Sequence, residues 1–140
     1  MNWIILILLL WVNSFTGCRN HEKYFVMTVT KGGGFAALYN GCELRSDGLI
    51  IEWKQFANSE REKLGEKRVP PEEIRKIADQ LLTLKTVDQT TGRRGNITHR
   101  VAYADLYDTL SWTWSTMSVV DSRWEEWYLK TRKFCVDHAL

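Results

Sequence analysis

The sequence contains no recognisable catalytic or metal-binding motif. Its three histidines have no second histidine, cysteine or carboxylate at a metal-ligand spacing such as H-x-x-x-H, and no C-x-x-C pair occurs. A G-x-S-x-G nucleophile elbow is also missing. These absences favour a protein that is not an enzyme and that uses neither a cofactor nor a metal ion. An enzyme with an unrecognised site stays open as an alternative.

An excess of one charge is missing as well. The chain has 19 basic and 17 acidic residues, which give a formal net charge of +2. A nucleic-acid-binding domain usually carries a clustered basic face. The near balance of charges therefore predicts that nucleic acid is not a partner.

No charged side chain precedes Arg19, and residues 3–12 form an uninterrupted apolar run. A helix needs about 20 apolar residues to cross a bilayer core, whereas the apolar part of a signal peptide has about 7 to 15. The run is too short for the first role and suits the second. The sequence therefore predicts a signal peptide over residues 1–17 and export from the cytoplasm.

Residues 15–18, Phe-Thr-Gly-Cys, resemble the lipobox of bacterial lipoproteins, in which a bulky apolar residue and two small residues precede a cysteine. The resemblance implies that cleavage makes Cys18 the first mature residue and that its lipid anchors the protein to a membrane. An aspartate directly after the lipidated cysteine would resemble an inner-membrane retention signal, but this position is Arg19. The sequence therefore favours the outer membrane or its periplasmic face. An uncleaved anchor or ordinary secretion is the alternative, because no Lys or Arg precedes the apolar run.

Two further cysteines, Cys42 and Cys135, remain once Cys18 is assigned to lipid. An extracytoplasmic compartment permits them to form a disulfide. Two buried thiols are the other interpretation, because a sequence does not report how far apart two side chains lie.

The mature chain reads as a short tether, residues 18–23, followed by one domain over residues 24–140. Period-two alternation and turn signals predict five strands, and apolar residues at helical spacing predict two helices. Two segments are interpreted as loops: the highly charged residues 57–68 and the Thr- and Gly-rich residues 85–96. A bulge is predicted at Asn40-Gly41. The predicted strands are residues 24–30, 35–44, 49–56, 97–103 and 110–114, and the predicted helices are residues 70–84 and 121–138.

This order, β-β-β-α-β-β-α, predicts an α+β fold in which two helices pack on one face of an antiparallel sheet of about five strands. The glycine run at residues 32–34 lacks the Lys-Ser/Thr ending of a phosphate-binding loop. It is interpreted as a bend or bulge between strands that requires positive φ.

Tryptophan is unusually frequent, with seven in the chain. Trp53, Trp112 and Trp114 lie on predicted strands and are candidates for an exposed aromatic platform that binds a glycan or a peptide. The alternative is that they belong to the hydrophobic core, which is the more common place for aromatic residues at strand spacing.

Residues 25–38, FVMTVTKGGGFAAL, resemble the start of emfourin-type domains, which are protealysin-associated inhibitors of thermolysin-like metallopeptidases, and of Gly-Gly-Phe domains in bacterial lipoproteins of unknown function. The matching positions are Gly33, Gly34 and Phe35. The resemblance implies a non-enzymatic domain that docks onto a protein, and it makes these three residues candidates for the contact with a metallopeptidase.

These observations predict a lipid-anchored lipoprotein of the cell envelope that acts as a protein-binding module, with peptidase inhibition as one form of that activity. The alternative is an envelope-associated lipoprotein with a structural or glycan-binding role.

Overall fold

The computed structural model describes residues 23–85, 90–92 and 95–139. The predicted signal peptide, Cys18 and the tether as far as residue 22 lie outside the described residues. The main sheet has six strands in the spatial order β4-β3-β2-β1-β6-β7, and every neighbouring pair is antiparallel. Its strands are β1 (Phe25–Gly33), β2 (Leu38–Arg45), β3 (Leu49–Phe56), β4 (Glu62–Arg68), β6 (Ile97–Asp105) and β7 (Thr109–Ser115).

Two helices and a small second sheet complete the fold of the described residues. Helix α1 (Pro71–Leu84) begins with proline in its first turn, where the amide groups have no intrahelical partner, and has Glu72 and Glu73 near its positive end. Helix α2 (Ser122–Ala139) ends the described chain. The second sheet pairs β5 (Thr90–Gly92) with β8 (Ser118–Val120). The predicted α+β class with two helices and an antiparallel sheet is confirmed.

The hydrophobic core lies on one face of the six-stranded sheet, which we call the covered face. Phe25, Met27 and Val29 alternate along β1 with less buried residues, and all three belong to the core. The register places Val29 beside Cys42 on β2 and beside Val101 on β6, so the same face is buried across the sheet. Both helices contribute to this core through the side chains of Ile74, Ala78, Leu81, Trp124, Trp127, Tyr128 and Cys135.

The opposite face of the sheet, which we call the open face, has no helix of the described chain packed on it. Strand register assigns Thr28 and Thr30 of β1 and Ala102 of β6 to this face. Small and polar side chains therefore alternate with the core residues along the same strands, as expected when one face of an antiparallel sheet is solvated.

The expected loop over residues 57–68 is wrong, because it contains β4, which pairs with β3 at the edge of the sheet. Strand β4 has charged side chains that are almost all exposed, so it shows no apolar alternation. Its pairing rests on the backbone, and charged residues on an edge strand also discourage pairing with other chains.

Two finer expectations are also wrong. The expected loop over residues 85–96 includes β5, and residues 118–120 form β8. Together with β4 these make eight strands in the described chain, six of them in the main sheet, in the order β-β-β-β-α-β-β-β-β-α rather than β-β-β-α-β-β-α. The register of β1 with β2 is continuous through Asn40 and Gly41, and the irregularity falls instead between Glu52 and Trp53 of β3. The predicted bend of positive φ between two strands is present at Gly33 and Gly34, where β1 ends and the chain turns toward β2.

The two ends of the sheet differ in what they carry. The chain enters β1 at Phe25, which lies opposite Asp105, and we call this the entry end. Strand β1 then runs for nine residues, or about 30 Å at strand spacing. The turn between β1 and β2 lies at the other end, which we call the tip end.

Candidate functional site

The predicted contact residues Gly33, Gly34 and Phe35 meet at the tip end of the β1–β2 hairpin. Gly33 has φ of 115° and Gly34 has φ of 73°, values that L side chains rarely adopt. A Cβ atom on Gly33 would lie 2.6 Å from the carbonyl oxygen of Asn96. Glycine at these positions therefore permits both the turn and its close approach to the neighbouring chain.

Backbone hydrogen bonds hold this turn on both sides. The amide of Gly34 donates to the Asn96 carbonyl at 2.7 Å, and the amide of Ala57 donates to the Ala37 carbonyl at 2.7 Å. Between these supports the side chain of Phe35 is fully exposed to solvent. An apolar ring held outward on a braced turn gains contact area only when another molecule covers it.

The three candidate platform tryptophans are not brought together. Trp112 and Trp114 lie on the covered face, where their rings lie 5.2 and 6.2 Å from the ring of Trp124. Trp53 lies on the open face, paired in register with Gly41 rather than with a core position. Trp112 and Trp114 therefore lie on the opposite face of the sheet from Trp53, and the three side chains do not form one platform.

Cys42 and Cys135 form a disulfide that joins β2 to helix α2, with their Cα atoms 6.2 Å apart. Both residues are fully buried. The bond closes a sequence separation of 93 residues. Disulfides persist mainly in oxidising compartments.

A cleft of about 440 Å³ lies on the open face near the tip end. Its size falls within the usual range for small-molecule sites. None of the described residues that line it is acidic. They are Thr30, Tyr39, Trp53, Gln55, Ala57, Arg61, Thr98, Arg100 and Thr113.

Trp53 forms part of the cleft wall and is enclosed from two sides. A Cβ atom on Gly41 would collide with the six-membered ring of Trp53, so the indole packs directly on the β2 backbone. The guanidinium of Arg61 lies over the same indole, 4.2 Å from its centroid, in a cation–π contact. The ring is 4% exposed, and its Nε1–H has no hydrogen-bond partner among the described residues.

The cleft contains two arginines without a neutralising partner. Within the described part of the chain, neither Arg61 nor Arg100 forms an ion pair. The Nε–H of Arg100 donates a hydrogen bond to the Ser111 hydroxyl at 3.2 Å. This bond holds the Arg100 side chain in place and does not use the two terminal nitrogens of its guanidinium. The cleft therefore has a positive potential that suits an anion.

Sequence reasoning missed Arg61 and Arg100 as site residues. Arg61 falls in the segment that was interpreted as an exposed loop, and its position over Trp53 depends on the β3–β4 connection. Arg100 directly precedes the core residue Val101 on β6, and successive residues of a strand point to opposite faces. This alternation is the one sequence signal that Arg100 faces away from the core.

A second depression, of about 370 Å³, lies between helix α2 and the edge of the covered face near Lys31 and His99, which we call its rim. His99 lies there with its ring 5.6 Å from Trp114 and edge-on to Tyr128 at 5.1 Å. Burial, followed by the positive charge of Lys31, lowers the pKa of His99 below its ordinary value. Burial also raises the pKa of Tyr128 to about 12, and its hydroxyl donates to the Thr30 carbonyl at 3.0 Å.

Two other features are missing from the described ranges, a metal-binding cluster and a membrane-spanning helix. No group of three or more histidine, cysteine or carboxylate side chains is placed to hold a metal ion among residues 23–85, 90–92 and 95–139. In the same residues, neither helix combines the length and apolar character that a membrane span requires. Lipidation of Cys18 concerns a residue outside the described chain.

Neither a family model nor a curated protein sequence matches this chain.

Proposed function

We propose that this protein is a lipid-anchored lipoprotein of the cell envelope that binds a protein partner through its β1–β2 hairpin tip. The observation that carries the proposal is the complete exposure of Phe35 on a turn whose backbone is braced by Asn96 and Ala57. Aromatic side chains lose little conformational entropy on binding and are frequent anchors of protein interfaces.

The position of the tip relative to the anchor supports the same function. The last residue of the tether, Lys23, forms an ion pair with Asp105 at the entry end. The tip lies about 30 Å away along β1. A lipid on Cys18 would thus hold the entry end at the membrane and present Phe35 away from it.

The residues around the entry end agree with a position beside a membrane. Tyr24 is 49% exposed, and Leu106 and Tyr107, in the turn between β6 and β7, are 76% and 82% exposed. Tyrosine and apolar side chains beside a lysine are favoured at the membrane–water boundary. The Lys23 ammonium lies 5.6 Å from the centre of the Tyr107 ring.

Inhibition of a thermolysin-like metallopeptidase is the form of binding that the Gly-Gly-Phe resemblance implies. The purified full chain, kept in a nonionic detergent, should be titrated against such a peptidase while substrate cleavage is followed. The proposal expects stoichiometric loss of activity that Phe35→Ala abolishes. Leu106→Ala is the matched control, because it removes an exposed apolar side chain from the other end of the sheet.

A peptidase that stays fully active at micromolar excess would reject inhibition of this enzyme class. The binding role would then be tested with a photo-crosslinker placed at position 35 in cells, with a crosslinker at position 106 as the control. Equal cross-linking from the two positions would reject the tip as the contact.

The lipid anchor has its own test, the intact mass of the membrane-bound protein. The proposal expects a chain that starts at Cys18 and carries acyl groups. An unmodified chain that retains Met1 would overturn the lipoprotein assignment and leave the role of Phe35 untouched.

A further inference from the structure

We propose that the open-face cleft is a binding site for an anionic saccharide, a sugar that carries a carboxylate group. This inference concerns a different surface from the hairpin tip and a different class of ligand. It rests on the charge of the cleft, on the polar groups that line it and on the enclosed indole of Trp53.

The charge selects an anion. Arg61 and Arg100 line the cleft without an ion-pair partner among the described residues, and none of its described lining residues is acidic. A planar guanidinium forms two parallel hydrogen bonds with a carboxylate, which fixes both position and orientation. Arg61 already lies over Trp53 in a cation–π contact, so its side chain loses less freedom when a ligand binds.

The remaining lining groups select a ligand with many hydroxyls. Tyr39 supplies a phenol, Gln55 an amide, and Thr30, Thr98 and Thr113 supply hydroxyl groups. Each of these groups both donates and accepts hydrogen bonds, as sugar hydroxyls do. A simple inorganic anion would leave most of them without a new partner, whereas a sugar ring would engage several.

The indole of Trp53 adds a donor that the described protein does not use. Its Nε1–H is buried and has no partner, although buried polar groups are almost always hydrogen-bonded. A ligand oxygen that reached this N–H would satisfy the donor. The cleft volume of about 440 Å³ is large enough for more than one sugar ring.

The test is calorimetric titration of the full chain in detergent with trigalacturonate. Its fully methyl-esterified form is the matched control, because it keeps the rings and hydroxyls and lacks the charge. We expect trigalacturonate to bind with an affinity that falls as salt is added. The ester should bind at least tenfold more weakly.

Two single variants locate the site. Arg61→Gln and Arg100→Gln should each weaken trigalacturonate binding by about tenfold, which corresponds to the loss of one charge-assisted contact. Arg68→Gln is the control, because Arg68 is an exposed arginine of β4 outside the cleft that pairs with Asp47. Thermal unfolding of each variant should be recorded. Arg100→Gln keeps the test valid if Arg61→Gln disturbs Trp53.

Several outcomes would overturn the proposal. Absence of trigalacturonate binding rejects it, as does equal binding of the acid and the ester, since charge would then not contribute. Acetate that competes as well as trigalacturonate would identify a general anion site rather than a saccharide site. Loss of binding in Arg68→Gln equal to that in Arg100→Gln would place the sugar elsewhere. Every one of these outcomes leaves the hairpin-tip proposal unaffected, because Phe35 does not line the cleft.

Discussion

The two faces of the six-stranded sheet are made by the same strands but differ in what their side chains do. On the covered face, Met27, Val29 and Val101 are fully buried beneath the helices. Their neighbours along the same strands, Thr28, Thr30 and Ala102, face the open side. The difference indicates that the covered face provides most of the stability and that the open face is available for binding.

The comparison predicts that substitutions on the two faces will have separable effects. Changes on the covered face should lower the free energy of unfolding, because they remove buried contacts or the disulfide. Changes in the open-face cleft should alter ligand binding with smaller effects on stability. Trp53 is the exception, because it is a buried residue that also lines the cleft.

Removal of the disulfide should have the largest effect on the covered face. In the chain-entropy description, a bond that closes a loop of 93 residues stabilises the folded state by up to about 4 to 5 kcal/mol. The variant Cys42→Ala/Cys135→Ala should therefore unfold at a much lower urea concentration. Cys18→Ala is the control and should leave the urea midpoint unchanged, and equal midpoints for all three proteins would contradict the prediction.

Trp124→Ala should destabilise the covered face by about 3 to 5 kcal/mol, because a buried aromatic side chain is replaced by a cavity. Trp124 is fully buried and contacts the rings of Trp112, Trp114 and Trp127. Its Nε1–H has no partner among the described residues, so the loss measures packing rather than a hydrogen bond. Urea unfolding of Trp124→Ala and Trp124→Phe should show a smaller loss for phenylalanine; equal losses would argue against a packing effect.

Gly41→Ala should affect both stability and the cleft. The new Cβ atom would overlap the Trp53 ring, and overpacking of this kind costs about 1 to 3 kcal/mol. Because the indole would have to move, trigalacturonate binding should weaken in the same variant. Thr28→Ala, a change on the same face outside the cleft, should alter neither property, and a Gly41→Ala protein with normal binding would show that Trp53 does not shape the site.

The covered face was largely predictable from the sequence, because burial imposes periodic apolar residues. The alternation of Phe25, Met27 and Val29 predicted β1, and the helical spacing of Ile74, Ala78 and Leu81 predicted α1. Strand β4 has no buried side chain and therefore no such pattern. Its existence follows from backbone pairing with β3, which a charged sequence does not reveal.

The candidate sites divide in the same way. The Gly-Gly-Phe segment was identified from local sequence, since glycine marks the positive φ values that the turn requires. The cleft joins Tyr39, Arg61, Arg100 and Thr113, which come from separate parts of the chain. Their proximity depends on strand order and register, and these are set by long-range pairing rather than by a short motif.

The smallest expected effect concerns His99, a partly buried residue at the rim of the covered face. Its pKa is lowered by burial first and then by Lys31 of β1, with Arg132 of α2 acting in the same direction and Glu125 of α2 opposing them. The folded protein therefore favours the neutral imidazole. The rings of Trp114 and Tyr128 pack beside it and add no charge at neutral pH.

The sign of the pH dependence follows from this lowered pKa. Below the ordinary histidine pKa of about 6.5, the unfolded chain binds a proton more readily than the folded protein does. The stabilisation from neutral His99 is thus complete above that value and declines as the pH falls toward the lower pKa of the folded state. Urea unfolding at about pH 7.5 and about pH 5 should show this loss, and His99→Gln should reduce it.

Lys31→Gln provides the sharper control, because it removes one cause of the shift and leaves the imidazole in place. The pKa of His99, followed by NMR, should rise toward its ordinary value in this variant, and the loss of stability between the two pH values should shrink. If Lys31→Gln leaves both quantities unchanged, Lys31 is not a cause of the lowered pKa of His99. If His99→Gln unfolds with the same pH dependence as the original protein, other titrating groups cause the loss of stability at low pH. Protonation of His99 at the rim of the covered face would then not contribute to it.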